Sequence, residues 1–193
     1  MRKTSNYRKS TLPSDTKWEQ IDWFHINRYV EKLQQRIYRA ECLGDKRQVR
    51  NLQRLLVKSK AMLLVSIKRV TQINKGKKTA GVDGETALSN RDRLQLFYDL
   101  SKLNIEKHNP KPSHRTYIKK KNGKLRPLSI PTIRGRIYQN IIKGALEPQW
   151  EARFEPISYG FRPKRGCHDA IARIFMAIKD GFLKGILKVV LTI

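Results

Sequence analysis

Five basic side chains surround the tip of a short segment whose pattern predicts a β-hairpin. They are Lys119, Lys120, Lys121, Lys124 and Arg126. So many like charges on one ribbon repel one another unless a polyanion lies beside them, and a guanidinium grips phosphate oxygens in a forked geometry that an ammonium group cannot reproduce. The cluster therefore indicates phosphate binding. The alternative interpretation is a charged hairpin that is simply solvated.

The hairpin that must position these cations is predicted from strand and turn signals. Residues 116–118 have strand character, Asn122-Gly123 predicts a two-residue turn, and residues 125–130 form a second strand that Pro131 ends. The tip of this hairpin is where the five cations gather.

The charge balance of the whole chain favours a nucleic-acid partner. The sequence has 42 Lys and Arg against 16 Asp and Glu, for a formal net charge of +26 on 193 residues. Residues 46–82 and residues 107–146 contain no acidic residue at all. Two basic blocks of this length predict extended contact with phosphates and a steep dependence of binding on salt. A basic structural protein of ribosomal type would have a similar composition.

Helices are predicted on the N-terminal side of the hairpin. Residues 1–14 are typical of a disordered basic arm, and Ser14 or Asp15 is predicted to cap a helix that ends near Gly44. A second helix is predicted over residues 45–73. Its apolar face comprises Leu52, Leu55, Leu56, Ser59, Leu63, Ile67 and Val70.

The remaining predicted elements are one helix before the hairpin and two after it. The first covers residues 91–103, the second begins after Pro131-Thr132 and ends at Pro148, and the third begins near Cys167. The middle helix is predicted to bury Ile133, Ile137, Ile141 and Ala145. The predicted organisation is an arm over 1–14, a helical region over 15–104, and a hairpin with helices over 105–193.

Further cations are predicted to contact RNA from several of these elements. They are Arg47, Arg50, Arg54 and Lys58 on the second helix, Lys77 and Lys78 in a glycine-rich loop, Arg134 and Arg136 after the hairpin, and Arg162, Lys164 and Arg165 before the last helix. A helix N-terminus preceded by cations is also a reasonable anion site. For each single cation on the second helix, the alternative is an ordinary solvated position on an amphipathic helix.

Several other chemistries are disfavoured by the sequence. Cys42 and Cys167 are too few for a disulfide framework and lack zinc-ligand spacing, which favours a reducing compartment. The glycine-rich loop lacks the spacing of a phosphate-binding loop, and Asp83 there is predicted to form a turn. His168 and Asp169, which follow Cys167 directly, point in different directions on a helix and cannot form a triad with it. No segment is apolar enough for a signal peptide or a membrane span.

Three sequence blocks in order resemble one enzyme family. The blocks are TAGVDG, HRTYIKKKNGKLRPLSIPTIRGRIYQ and YGFRPKRGCHDAI. Together they resemble the N-terminal, fingers part of the reverse transcriptase domain of group II intron-encoded proteins, the maturases. The resemblance implies an α+β fingers subdomain with a helical N-terminal region and an antiparallel hairpin packed with helices, the palm being missing. It also implies that Lys120 and Arg126 contact the triphosphate of the incoming nucleotide, that the first two helices and the loop face template and intron RNA, and that the location is the bacterial cytoplasm or an organelle.

The family's catalytic carboxylates are not found in this sequence. Nucleotidyl transfer in the family uses Mg²⁺ ions held by aspartates of the palm, but the sequence has no adjacent pair of aspartates. Residues 184–193 occupy the position of the first palm strand and contain no Asp. The expectation is RNA binding without polymerisation and without a cofactor bound by this chain alone. Three interpretations remain open. The chain is a truncated or frameshifted product, or one half of a split polymerase whose palm and thumb come from another chain. Otherwise it is a separate RNA-binding module that assists splicing.

Overall fold

The structure is a computed structural model that describes residues 17–179, in which helices dominate and two strands form one antiparallel sheet. The predicted arm over residues 1–14 and the tail after residue 179 lie outside the described residues. The chain forms two compact units, Met1–Ala152 and Arg153–Ile193. Its main elements are α1 (Trp23–Cys42), α2 (Lys46–Val57), α3 (Lys60–Lys68), α4 (Asn90–Lys102), β1 (His114–Lys119), β2 (Leu125–Ile130), α5 (Ile133–Arg153) and α6 (Cys167–Lys179).

The first helix begins later than the sequence predicts. A short 3₁₀ turn covers Trp18–Gln20, Ile21 is extended with ψ of 125°, and α1 starts at Trp23. Its cap is Asp22, whose side chain accepts a hydrogen bond from the backbone N–H of His25 at 3.0 Å. The predicted caps Ser14 and Asp15 lie outside the described residues. The capping residue is an aspartate, a residue type that the sequence analysis expects at a cap, but it lies immediately before Trp23.

The predicted second helix is divided into three parts. α2 ends at Val57, α3 begins at Lys60, and a π-helical turn, Arg69–Ile73, completes the segment. Ser59 is extended, and its hydroxyl accepts from the backbone N–H of Met62 at 3.1 Å. It caps α3 rather than lying on a continuous apolar face, because a serine hydroxyl satisfies the free N–H groups of a helix start.

The core lies around α3, which is buried on almost every side. Its residues Ala61, Met62, Leu63, Leu64, Ser66 and Ile67 are all buried. α1 and α4 pack on α3, and Ile26 and Ile37 on α1 and Phe97 on α4 are buried in the same core. A short helix that is apolar all round belongs in the centre of a bundle, and the amphipathic helices surround it.

α5 continues through Pro148, which was predicted to end it. Proline lacks the N–H that would bond to the carbonyl of Gly144, one helical turn earlier, and its ring crowds that carbonyl. The side chain of Gln34 on α1 donates to the Gly144 carbonyl at 2.9 Å and replaces the missing bond. The predicted apolar face of α5 is confirmed, since Ile133, Ile137, Ile141 and Ala145 are buried.

The hairpin is confirmed, with a longer turn than predicted. Lys119 pairs with Leu125, the N–H of Gly123 donates to the carbonyl of Lys120 at 3.0 Å, and the N–H of Lys120 donates to the carbonyl of Lys124 at 2.9 Å. Gly123 has φ of +78°. These bonds define a turn followed by a left-handed residue, a loop of about three residues in place of the predicted Asn-Gly pair.

Candidate nucleic-acid interface

The hairpin stands exposed on both of its faces. In the register, Arg126 lies opposite Ile118, so strand alternation places them together on one face, with Lys120 two residues further along. Lys119 lies opposite Leu125 on the other face. Every residue of the two strands except Thr116 and Ile130 is exposed, and the same is true of the tip cations. Lys120 and Arg126 can therefore meet one anion, while Lys119 addresses the opposite side.

α2 carries a cationic stripe on its exposed side. Arg47, Arg50 and Arg54 are spaced by three and four residues and are all exposed, opposite the buried positions of the helix. Lys58 differs from them because its ammonium lies 3.2 Å from a carboxylate oxygen of Glu106. The hydrogen bond from Lys58 lowers the pKa of the Glu106 carboxyl. The three arginines are therefore exposed cations that a phosphate can reach, as is Lys46 at the start of the helix. Arg54 makes a smaller electrostatic contribution to the lowered pKa of the same Glu106 carboxyl.

The glycine-rich loop between the π-helical turn and α4 presents lysines beside an ordered turn. Lys78 is exposed, while Lys77 is half-buried and donates to the carbonyl of Gln72 at 3.0 Å. The Asp83 carboxylate accepts from the N–H of Glu85 at 3.3 Å, which confirms Asp83 as a turn residue. These are two local hydrogen bonds, one near each end of the loop.

The two arginines of the first turns of α5 contact the protein itself. Arg134 lies 3.4 Å from Glu85 and 3.6 Å from Asp99. The Arg136 guanidinium donates to the carbonyl of Gly76 at 3.0 Å and also to that of Thr79, and burial lowers the pKa of Arg136. Both side chains are half-buried, and each contacts other residues of the protein.

In the second unit, arginines organise the loop that precedes α6. Arg162 is 8% exposed and donates to the carbonyls of Glu155 and Ser158, both at 2.8 Å. Arg165 donates to the carbonyl of Pro156 at 2.6 Å, while Lys164 is exposed. Lys164 is thus the member of this predicted set that faces solvent.

The N-terminus of α6 already has a carboxylate at its first turn. The side chain of Asp169 accepts from the N–H of Gly166 at 2.7 Å. An anion approaching this helix end would meet that negative charge, which opposes the attraction of the helix dipole.

Two features of the described chain are not predicted by the sequence. Arg93 is 7% exposed and donates to the carbonyls of Leu88, at 2.7 Å, and Thr71, at 3.3 Å, which ties the π-helical turn to the start of α4. Phe161 is fully exposed with φ of +58° beside the cationic loop. Its neighbours in the YGFRP block were a usable signal, whereas nothing in the pattern around Arg93 marks it as buried.

The described residues do not assemble a metal site. No group of three or more His, Cys, Asp or Glu side chains comes together within residues 17–179. Over the same residues, no helix is long and apolar enough to cross a membrane.

Two protein-family models match the chain in the order of its elements. The N-terminal domain of reverse transcriptase matches residues 18–100, and reverse transcriptase (RNA-dependent DNA polymerase) matches residues 118–189. The first match covers the helical region and the second begins in the hairpin. Both assign the chain to one class of protein, the reverse transcriptases.

Comparison with individual relatives identifies the family within this class. The chain is 36% identical to Protein YkfC of Escherichia coli (strain K12) over 78% of this chain and 40% of that protein. It is 36% identical to Maturase-like protein 1 of Euglena gracilis over 86% of this chain and 37% of that protein. With the group II intron-encoded protein LtrA of Lactococcus lactis subsp. cremoris, identity is 38% over 52% of this chain and 17% of that protein. The chain belongs to the group II intron-encoded reverse transcriptase and maturase family and matches its N-terminal part.

Proposed function

We propose that this chain binds RNA as the N-terminal part of a group II intron RNA-directed DNA polymerase and maturase. The observation that carries the proposal is the hairpin, which holds five cations around its tip, is exposed on both faces, and lies in a block without acidic residues. A charged ribbon of this kind gains by displacing the counterions of a phosphate backbone. The chain spans about two fifths of the length of the first relatives it matches, so polymerase activity is proposed for the longer protein.

The proposed RNA surface consists of the exposed cations. In the first unit its members are the tip lysines Lys119, Lys121 and Lys124, the α2 arginines Arg47, Arg50 and Arg54, and the loop lysines Lys75 and Lys78, with the half-buried Lys77 beside them. In the second unit, Lys164 is proposed to contact RNA separately. Intron RNA and template RNA are the proposed partners, in the bacterial cytoplasm or an organelle. The same RNA binding is expected whether the palm and thumb belong to the same polypeptide or to another chain.

The test is RNA binding by the chain across a series of salt concentrations. We expect the logarithm of the affinity to fall linearly with the logarithm of salt, with a slope that corresponds to about 6 to 10 phosphate contacts. Structured intron RNA should bind more tightly than an unstructured RNA of the same length, since a shaped surface distinguishes RNA folds. Equal affinity for any polyanion, including heparin at matched charge, would contradict the proposal in favour of a basic structural protein.

Lys120 and Arg126 are proposed to contact the triphosphate of the incoming nucleotide in the longer protein. Their common face on the hairpin supports this, because one triphosphate can reach both. In a full-length enzyme, Lys120→Gln or Arg126→Gln is expected to raise the KM for deoxynucleotides at least about tenfold, as one charge-assisted contact of roughly 1.5–3 kcal/mol is lost. Template affinity should change little.

Steady-state extension of a primer and a separate filter-binding assay measure the two quantities. Equal loss of nucleotide use and template affinity would place both cations on the RNA surface instead. Mg²⁺ is proposed to serve that reaction in the longer protein, and since the described residues bring no metal-binding carboxylates together, no site for it is proposed within residues 17–179.

A further inference from the structure

The glycine-rich loop meets the base of the hairpin through a direct contact between backbones. A Cβ placed on Gly81 would lie 2.6 Å from the Cα and 2.8 Å from the N of Thr132. Real Cβ atoms do not approach backbone so closely, so a side chain at this position would push the loop away. Thr132 comes just after β2, and it is the residue that caps α5 through its hydroxyl, 3.1 Å from the N–H of Gly135.

Arg136 clamps the same loop one turn further along α5. Its two terminal nitrogens donate to the carbonyls of Gly76 and Thr79, which lie on the loop, and its Nε is buried with no hydrogen-bond partner in the described part of the chain. A guanidinium spans two carbonyls with its fork, whereas an ammonium has a single nitrogen to place. A buried Nε without a partner destabilises the fold, and the two hydrogen bonds to the loop carbonyls are formed in spite of that penalty.

These contacts fix a second group of cations beside the hairpin. Lys75, Lys77 and Lys78 lie between the two clamped carbonyls or next to them. The start of α5, which contacts the loop, follows β2 after two residues. If the loop were free, ordering it would cost conformational entropy each time RNA bound. A loop that is already held presents its lysines without that cost.

We propose that Arg136 and Gly81 are positioning residues for RNA binding: they hold the loop on the base of the hairpin so that the loop lysines and the tip cations bind one RNA together. This inference rests on the proposed RNA binding. It assigns to Arg136 a role different from the direct RNA contact that the sequence predicts, because its guanidinium is used on the loop.

The first test compares two substitutions at neighbouring positions of the same loop. Gly81→Ala is expected to speed amide hydrogen exchange in residues 75–88 and to weaken RNA binding at least about tenfold near 0.1 M salt, the loss expected from two phosphate contacts. Val82→Ala is the matched control, since Val82 is the next residue of the loop and is 53% exposed. Equal RNA affinity and equal loop exchange in the two variants would overturn the proposal.

The second test separates a clamp from a direct contact at Arg136. Arg136→Lys keeps the charge but cannot span both carbonyls, so we expect it to reduce the salt slope as much as the triple variant Lys75→Gln, Lys77→Gln, Lys78→Gln. Adding Arg136→Lys to the triple lysine variant should reduce the salt slope little further, because both changes remove the same phosphate contacts. A full additive loss, or a normal slope in Arg136→Lys, would overturn the clamp.

The two proposals fail in distinguishable ways. If the unaltered chain shows no salt-dependent RNA affinity, the proposed function is contradicted. If the unaltered chain and the triple lysine variant differ as expected while Gly81→Ala and Arg136→Lys bind as the unaltered chain does, RNA binding stands and the positioning role is overturned.

Discussion

Replacing Lys119, Lys121 and Lys124 with glutamine is expected to weaken RNA binding roughly 100- to 500-fold near 0.1 M salt, because each lost phosphate contact removes about 0.7 to 0.9 from the salt slope. All three side chains are exposed at the tip of the hairpin. The variant keeps Lys120 and Arg126, so nucleotide contacts in the longer protein are left in place. Affinity measured at four or five salt concentrations gives both the fold-change and the slope.

A charge-matched control decides whether the hairpin itself is the binding surface. The triple variant Arg91→Gln, Lys102→Gln, Lys143→Gln removes the same number of positive charges from exposed positions on α4 and α5. Loss of net charge alone affects binding through long-range attraction, which salt screens, and is expected to cost a few-fold at most. A comparable loss in the control and the hairpin variant would show that the total charge, rather than the tip, governs binding.

The helical faces could be predicted from sequence because burial follows a simple period. Ile133, Ile137 and Ile141 recur every four residues, and the structure buries all three. The ends of helices could not be placed in the same way. Ser59 reads as part of an apolar stripe by spacing alone, yet its hydroxyl caps a new helix. A capping residue and a solvated polar residue look alike until the backbone around them is known.

Pro148 shows how a tertiary contact overrides a reliable local rule. The sequence around it predicts an end to α5, and the local reasoning is sound for an isolated helix. The carbonyl that proline leaves free is bonded by Gln34, more than a hundred residues earlier in the chain. No pattern near Pro148 contains that information, so the helix continues where the sequence predicts a stop.

The candidate site is also predicted only in part by the sequence. Sequence identifies which residues are cations, and the hairpin tip is exposed as predicted. It does not identify which cations the fold uses internally. Arg162 is largely buried on loop carbonyls, whereas Lys164, two residues away, is exposed. Guanidinium groups suit both phosphates and carbonyls, so composition cannot separate the two uses, and only the three-dimensional arrangement does.

Stability is expected to depend on the helical core and RNA binding on the surface cations, and Phe97→Ala tests the first half. Phe97 is 1% exposed on α4, which packs on the central helix α3. Removing a buried aromatic ring typically costs about 3–5 kcal/mol through lost burial and the cavity that remains. That is a large part of the roughly 5–15 kcal/mol that stabilises an ordinary domain.

Urea unfolding of the chain, followed by circular dichroism, measures the change. Leu55→Ala is the control, because Leu55 is 48% exposed on α2 and its truncation is expected to cost well under half as much. Where Phe97→Ala remains folded, its RNA salt slope should equal that of the unaltered chain, since no phosphate contact is removed. The hairpin variant should do the reverse, keeping the unfolding midpoint and losing the slope, because the strands that carry its lysines are exposed and add little to the core. If Phe97→Ala instead reduced the slope at temperatures where it is folded, the core would also shape the RNA surface, and the separation between stability and binding would be wrong.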